Sequence, residues 1–324
     1  MKAEDVRTYL GSDWTEVIKL LDDALRSDVE LLNDINGGIL ANAGKMLRPM
    51  LTLLSARACN GGRTVHESVR YAAAGEILHN ATLLHDDVAD CAATRRGTPT
   101  VASRWGDTPA VLVGDFWLAR AVSLLMDSSN LRWTIEVFGR TLTNLAEGEM
   151  LQQQKAFSAD TTVDDYLRII YCKTASLFET VCQSGARSVG AGEAMSDAMS
   201  RYGKALGMAF QIRDDILDYD GGDRTGKPVG ADLRERKITL PLLGAICGSP
   251  REEEIRSMIR DIPSHPEYTA AINAFVHANG GVVFASERLA EFVREAVDAL
   301  SVLPPSRDRE ILEYLANQLA DTVQ

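Results

Sequence analysis

Asp86, Asp87 and Asp90, and again Asp214, Asp215 and Asp218, spell the same acidic pattern, Asp-Asp-x-x-Asp, in two distant parts of the 324-residue chain. Each triplet closes a run that reads as buried or amphipathic helix. On a helix, residues i and i+4 share a face, so Asp86 would project with Asp90, and Asp214 with Asp218. Two such sites brought together would repel strongly unless cations sat between them. Oxygen-only ligands, without Cys or His, point to a hard cation, Mg²⁺ first. Mg²⁺ keeps waters and is commonly shared with substrate phosphates, so a diphosphate substrate follows. Each triplet is also followed by a basic stretch: Arg95-Arg96 after the first, and Arg224, Lys227 and Lys237 after the second. Metal together with Arg and Lys is a standard means of holding and activating phosphoryl groups.

One Asp-Asp-x-x-Asp alone would read as a solvated helix face, as Asp22-Asp23 and Asp164-Asp165 do. Here the carboxylates end apolar runs, Leu83-Leu84-His85 and Phe210-Gln211-Ile212, where they are costly unless compensated. The elements that must position them read as helices over roughly 13–36, 46–59, 65–91, 108–127, 131–154, 163–189, 192–219, 237–247, 251–261, 266–278, 282–301 and 306–322. Capping signatures stand at Thr64…Glu67, Thr162…Asp165, Ser249…Glu252 and Ser264…Glu267. The stretch Arg95-Arg96-Gly97-Thr98-Pro99 reads as loop. Asp220 to Gly230, rich in glycine, cannot be regular helix. No repeat and no low-complexity linker divides the chain, so an all-α single domain over 1–324 is the expectation.

The totals exclude some classes. A net charge of −12, from 34 basic and 46 acidic residues, disfavours binding to nucleic acid or anionic lipid. No run approaches the roughly 20 unbroken apolar residues of a membrane-spanning helix. The opening residues lack the apolar core of a signal peptide. Cys59, Cys91, Cys172, Cys182 and Cys247 form no metal spacing and read as small buried hydrophobes in a reducing compartment. Cytoplasmic location is therefore expected.

From Gly44 to about Leu243 the chain resembles the polyprenyl synthetase family, the trans-isoprenyl diphosphate synthases. Gly44-Lys45-Met46-Leu47-Arg48-Pro49 is similar to its GKxxRP element. His79 through Asp90 is similar to its first aspartate-rich motif, Arg95 through Thr100 to RRGxPT, Val113 through Phe116 to VGDF, and Lys173-Thr174 to its KT pair. Gly207 through Asp218 is similar to its second aspartate-rich motif. Gly226 through Leu233 and Lys237 through Pro241 are similar to its closing basic segment. The family usually has Gly before the last Lys; here Arg236 stands there.

The resemblance implies a helical bundle of the isoprenoid synthase type around a central catalytic cavity. It implies that the six motif aspartates hold three Mg²⁺ around an allylic diphosphate. Lys173, Thr174, Gln211, Lys227 and Lys237 would act on that group together with Arg95. Lys45, Arg48, His79 and Arg96 would hold the diphosphate of isopentenyl diphosphate. The implied reaction is head-to-tail prenyl transfer onto geranyl or farnesyl diphosphate, giving a long-chain all-trans product for quinone or other isoprenoid side chains. Geranylgeranyl or farnesyl diphosphate is the alternative product. A membrane-associating product and a homodimer are further implications. A class I terpene cyclase would not need Lys45, Arg48 and Arg96, and a noncatalytic subunit of a heteromeric synthase would be expected to lose motif aspartates that this chain retains.

Product length is expected to be set on the helix before Asp86, at Ala81, Thr82 and Leu78. No aromatic side chain stands at Ala81 or Thr82, and Ala74 and Gly75 are small further back. A helical turn rises about 5.4 Å, close to one extended isoprene unit, so a row of small residues over several turns admits several units. Ala81→Tyr should shorten the product, with mass analysis as the readout; an unchanged product distribution would remove this face from chain-length control.

Overall fold

The computed structural model describes residues 2–220 and 230–321. Its helices in chain order are α1 (Ala3–Leu10), α2 (Ser12–Leu25), α3 (Glu30–Ala41), α4 (Leu47–Cys59), α5 (His66–Ala89), α6 (Val101–Trp105), α7 (Asp107–Met126), α8 (Leu131–Ser158), α9 (Val163–Ile170), α10 (Ser176–Ser188), α11 (Glu193–Asp220), α12 (Ala231–Arg234), α13 (Leu240–Ile246), α14 (Glu252–Asp261), α15 (Tyr268–Ala278), α16 (Gly281–Ala299) and α17 (Arg307–Asp321). The strands among the described residues are the two-residue β1 (Thr94–Arg95) and β2 (Thr98–Pro99). The all-α expectation holds. The chain forms two compact units, each assembled from three stretches: 1–139, 180–199 and 302–312 in the first, 140–179, 200–301 and 313–324 in the second.

In the first unit α5 is the central element. It is buried over nearly its whole circumference, from Val69 and Tyr71 through Ala72, Ala73, Ala74, Ile77 and Leu78 to Ala81 and Leu84. A helix apolar all round belongs in a core. It packs on α7, α4 and α2. Its start differs from the expected Thr64 cap. The Ser68 hydroxyl accepts from the Val65 N–H at 3.2 Å, while Thr64 donates to Asp13 instead. Its end is a left-handed cap: Cys91 has φ 51°, and the Ala92 N–H reaches back to the Asp87 carbonyl at 2.9 Å. Gly75 does not open a channel. Val181 Cγ1 lies 2.6 Å from where a Cβ would stand, so α10 fills that place.

The helix expected over 13–36 is two helices. Asn33 takes the Ser27 N–H at 3.0 Å and gives its amide to the Ser27 carbonyl at 2.7 Å, satisfying the break. Buried Asn36 then ties the pieces together, donating to the Leu25 carbonyl and accepting from Trp117 Nε1, both at 2.8 Å. A further helix, α1, was not expected; Gly11 (φ 54°) separates it from α2.

The stretch 94–99 is a β-hairpin rather than an open loop. Thr94 pairs with Pro99 and Arg95 with Thr98. The two turn residues, Arg96 (φ 52°) and Gly97 (φ 77°), are both left-handed, as a type I′ turn demands. Among the described residues α7 is the one helix long and apolar enough to cross a membrane by length and composition, although Asp115 and Arg120 interrupt its apolar run. Ala110, Val113, Gly114, Trp117, Ala121 and Leu125 form its buried side, while Val111, Leu112, Val122 and Met126 are exposed. The cysteines are all free, but Cys91 and Cys247 are exposed, so only part of the buried reading stands.

In the second unit, α13 packs on α16 and α15. Helix α9 starts with the expected capping box, Thr162 and Asp165 exchanging backbone N–H bonds at 3.0 and 3.1 Å. The Ser264 cap does not form; Glu267 occupies the N-cap of α15. Helix α12 ends with the Lys237 N–H on the Asp232 carbonyl (2.8 Å) and the Arg236 N–H on the Leu233 carbonyl (2.9 Å). That motif wants glycine at its left-handed position, which Arg236 occupies at φ 57°. A left-handed L-residue costs about 1–2 kcal/mol, partly offset by glycine's larger unfolded-state entropy. Arg236→Gly should therefore stabilise the protein by about 0.5–1 kcal/mol. A urea midpoint that fails to rise would count against this account.

Candidate active site

The sequence-predicted residues fall into two sets, one in each unit. The first set comprises Lys45, Arg48, Leu78, His79, Ala81, Thr82, Asp86, Asp87, Asp90, Arg95 and Arg96. Asp86, Asp87 and Asp90 close α5, where unpaired carbonyls already concentrate negative charge. Asp87 is buried and takes the Arg95 Nε at 2.8 Å; burial raises its carboxyl against the pull of that guanidinium. Asp86 is half-buried and Asp90 exposed. His85 turns away from both, its Nε2 3.4 Å from Asp115 and 3.3 Å from the Val111 carbonyl.

Around His79 three guanidinium groups gather. Burial first, then Arg48, Arg96 and Arg95, hold the imidazole well below its usual range, so it is neutral at pH 7. A neutral imidazole still offers one N–H to a phosphate oxygen. Burial pushes Arg48 down to about 10, with Glu76 opposing, which leaves it charged at neutral pH. Glu76 is buried, takes the Asn80 amide at 3.1 Å, and is raised by its own burial against the pull of Arg48. Sequence reading missed Glu76. A carboxylate one helical turn before His79 was the available signal.

A cleft of about 550 Å³ lies beside this cluster in the first unit. Leu83, Leu84, Asp87, Arg95, Arg96 and Trp105 are among its lining. Of the chain-length candidates, Ala81 and Leu78 are fully buried and Thr82 is half-buried, its hydroxyl on the His79 carbonyl.

The second set comprises Lys173, Thr174, Gln211, Asp214, Asp215, Asp218 and Lys237; Lys227 lies outside the described residues. Lys173 and Thr174 sit in a π-helical turn, Tyr171–Ala175, a local widening common at functional sites. Lys173 pairs with Glu149, whose carboxyl is lowered overall despite its burial because Lys173 and Gln153 outweigh it. Thr174 donates to Gln211 Oε1 at 2.9 Å, and the Gln211 amide donates to Asp215 at 2.8 Å. Asp215 also accepts from the Tyr166 hydroxyl at 2.7 Å. Burial, then Asp232, push the Asp215 carboxyl well up. Asp218 accepts the backbone N–H groups of Ala231 (3.0 Å) and Asp232 (3.1 Å) at the start of α12. Asp214 is exposed and takes the guanidinium of its neighbour Arg213 at 2.5 Å. Lys237 pairs with Glu235. Glu149 and Tyr166 were not foreseen; each serves a named site residue, and neither carries a motif of its own. Asp232 stands inside the closing motif but was given no role of its own.

Among the described residues no three Asp, Glu, His or Cys side chains converge as a ready-made metal cage. The donor chemistry suits Mg²⁺, which needs one or two carboxylates and completes its shell with water and phosphate.

The profile of the polyprenyl synthetase family matches residues 29–276. The chain belongs to the polyprenyl synthetase family. It is a transferase that makes polyprenyl diphosphate. It is 37% identical to the all-trans-nonaprenyl-diphosphate synthase (geranyl-diphosphate specific) of Rhodobacter capsulatus, covering 99% of this chain and 98% of that one. It is 37% identical to the octaprenyl diphosphate synthase of Escherichia coli K12, covering 98% of each. A crystal structure of polyprenyl synthase from Caulobacter crescentus, complexed with calcium and isoprenyl diphosphate, superposes with TM-score 0.89 at 35% identity over 98% of this chain and 97% of that one. A decaprenyl diphosphate synthase from Rhodobacter capsulatus gives 0.92 at 34% identity, covering 99% of both.

In this polyprenyl synthetase the Tyr166 hydroxyl is a buried donor to a buried carboxylate. Tyr166→Phe should cost about 1–2 kcal/mol of stability, the usual cost of leaving such a group short of one partner. Unchanged unfolding in urea would mean that water replaces the hydroxyl.

Proposed function

We propose that this enzyme condenses isopentenyl diphosphate head-to-tail with an allylic primer, geranyl or farnesyl diphosphate, into a long-chain all-trans product. The relatives named for octaprenyl and nonaprenyl products support that length. The observation that carries the reading is the contrast between the two kinds of charge. Asp86 and Asp90, half-buried and exposed, stand at the end of α5, while Arg48 and Arg96 bear on neutral His79 two turns earlier on the same helix. One diphosphate must leave and is held through metal; the other must stay and is held by fixed cations.

Asp86, Asp87, Asp90, Asp214, Asp215 and Asp218 are the proposed Mg²⁺ ligands. Asp87 is engaged by Arg95, Asp215 by Tyr166 and Gln211, Asp218 by the α12 backbone and Asp214 by Arg213. Those contacts would hold the carboxylates in place for the ions. Three ions, as the family pattern implies, would be shared with the allylic diphosphate. Bound Mg²⁺ supplies neutralisation of charge on the departing pyrophosphate. Lys173, Lys237 and, by motif alone, Lys227 add fixed positive charge there, and Thr174 orients Gln211. Lys45, Arg48, His79 and Arg96 hold isopentenyl diphosphate with its double bond facing the allylic carbon. The allylic C–O bond breaks, its electron pair leaving with pyrophosphate. The double bond attacks the resulting cation, and the proton lost from the adduct passes to pyrophosphate. The protein contributes orientation, charge and exclusion of water.

The whole chain would act as one cytoplasmic catalytic domain. The exposed face of α7, Val111, Leu112, Val122 and Met126, suits burial against a second copy in a homodimer. The product would partition to membrane.

The purified chain alone should elongate geranyl or farnesyl diphosphate with isopentenyl diphosphate and Mg²⁺, giving polyprenyl diphosphates by mass analysis. No product without an added partner would favour a subunit of a heteromeric synthase. Asp86→Ala and Asp214→Ala should each lower kcat by about 100-fold or more, as for loss of a main electrostatic group. Near-normal turnover of both at saturating Mg²⁺ would sink the metal assignment.

A further inference from the structure

The loop that carries Lys45 is gripped by the N-terminal helix. Arg7, on α1, donates from Nη2 to the carbonyls of Gly44 (2.7 Å) and Lys45 (2.9 Å). Its own place is fixed. Val6 and Leu10 are buried on either side of it in sequence, α1 packs on α4, and the guanidinium lies 5.3 Å from the centre of the Trp14 ring. From the other side Arg96 Nη1 donates to the Asn42 carbonyl at 3.0 Å. Arg96 also presses on Gly44, where a Cβ would stand 2.6 Å from Nη1. Between the two arginines the backbone is left-handed at Gly44 (φ 69°) and at Met46 (φ 49°). Met46 avoids that region when free to choose. The loop therefore depends on donors outside itself for its shape.

We propose that Arg7 is a positioning residue for isopentenyl diphosphate: by holding the Gly44 and Lys45 carbonyls it presents Lys45, and through α4 Arg48, to the diphosphate that stays. This rests on the reading of Lys45 and Arg48 given above. Arg7 acts through the loop and not on substrate, because both Nη2 hydrogens are directed at backbone carbonyls. Without it the two carbonyls turn to water and Lys45 samples many positions before binding. The cost of ordering the loop then falls on the binding step.

The test is steady-state kinetics on the full chain with Arg7→Ala, Arg7→Lys and Lys45→Ala, varying each substrate in turn at saturating partner and Mg²⁺. Arg7→Ala should raise the KM for isopentenyl diphosphate about tenfold, the scale of one or two lost hydrogen bonds. Its KM for the allylic diphosphate should move by less than about twofold, and kcat by less than the first KM. Arg7→Lys keeps the charge but not the fork, and should fall between wild type and Arg7→Ala. A purely structural role would lower the thermal midpoint and the active fraction without separating the two KM values. An unchanged isopentenyl KM in Arg7→Ala, or equal rises in both KM values, overturns the proposal. If Arg7→Ala does not fold, Arg7→Lys decides by the same split. If Lys45→Ala raises the isopentenyl KM and Arg7→Ala does not, only the role of Arg7 falls. If Lys45→Ala leaves that KM unchanged, the assignment of this loop to the diphosphate falls, and the role of Arg7 with it.

Discussion

Carboxylates at the C-terminal end of a helix face a pole that is already negative. Both acidic triplets are placed there, at the ends of α5 and α11. The groups that follow each triplet answer that repulsion. A hairpin two residues wide at its turn brings Arg95 onto Asp87. The start of α12 turns two N–H groups onto Asp218. A hydroxyl and an amide meet Asp215 from Tyr166 and Gln211. Arg213 meets Asp214 in turn, and on the proposed reading the six carboxylates together are the negative charge that a hydrated divalent cation would share. After the first triplet the compensation is a side-chain cation, and after the second it is backbone N–H.

Composition made the long helices legible, because α5 and α11 are long runs rich in Ala and poor in β-branched alternation. Short-range chemistry hid the rest. The hairpin was missed because Arg96 takes a left-handed conformation that its residue type does not advertise; only Gly97 marked the turn. The break inside 13–36 depends on Asn33 reaching back to Ser27, a contact across six positions that no helical period encodes. The Thr64 cap failed because Asp13, distant in sequence, claims the hydroxyl. Among site residues, those with a charge in a motif were readable. Glu76, Glu149 and Tyr166 were not, since each matters only through the neighbour it meets.

A site of fixed cations has its own problem when empty, for like charges must be held together without the anion they await. Arg48, Arg95 and Arg96 all bear on His79, and the imidazole responds by staying neutral. A fourth positive charge there would add repulsion exactly where desolvation already weighs on Arg48. Buried Glu76 supplies the opposite sign, drawing on Arg48 and, more weakly, on Arg96 and Arg7. Two carboxylates, Glu76 and the Asp87 paired with Arg95, against three guanidinium groups leave the cluster net positive, so on the proposed reading a diphosphate would still gain by entering. The Lys45 loop can be shaped by arginines because Arg7 and Arg96 donate there to backbone carbonyls, which carry no charge to neutralise, and the positive field is kept. On the proposed reading, holding the diphosphate that stays would be a matter of charge balance set before substrate arrives, whereas holding the one that leaves would wait for the metal.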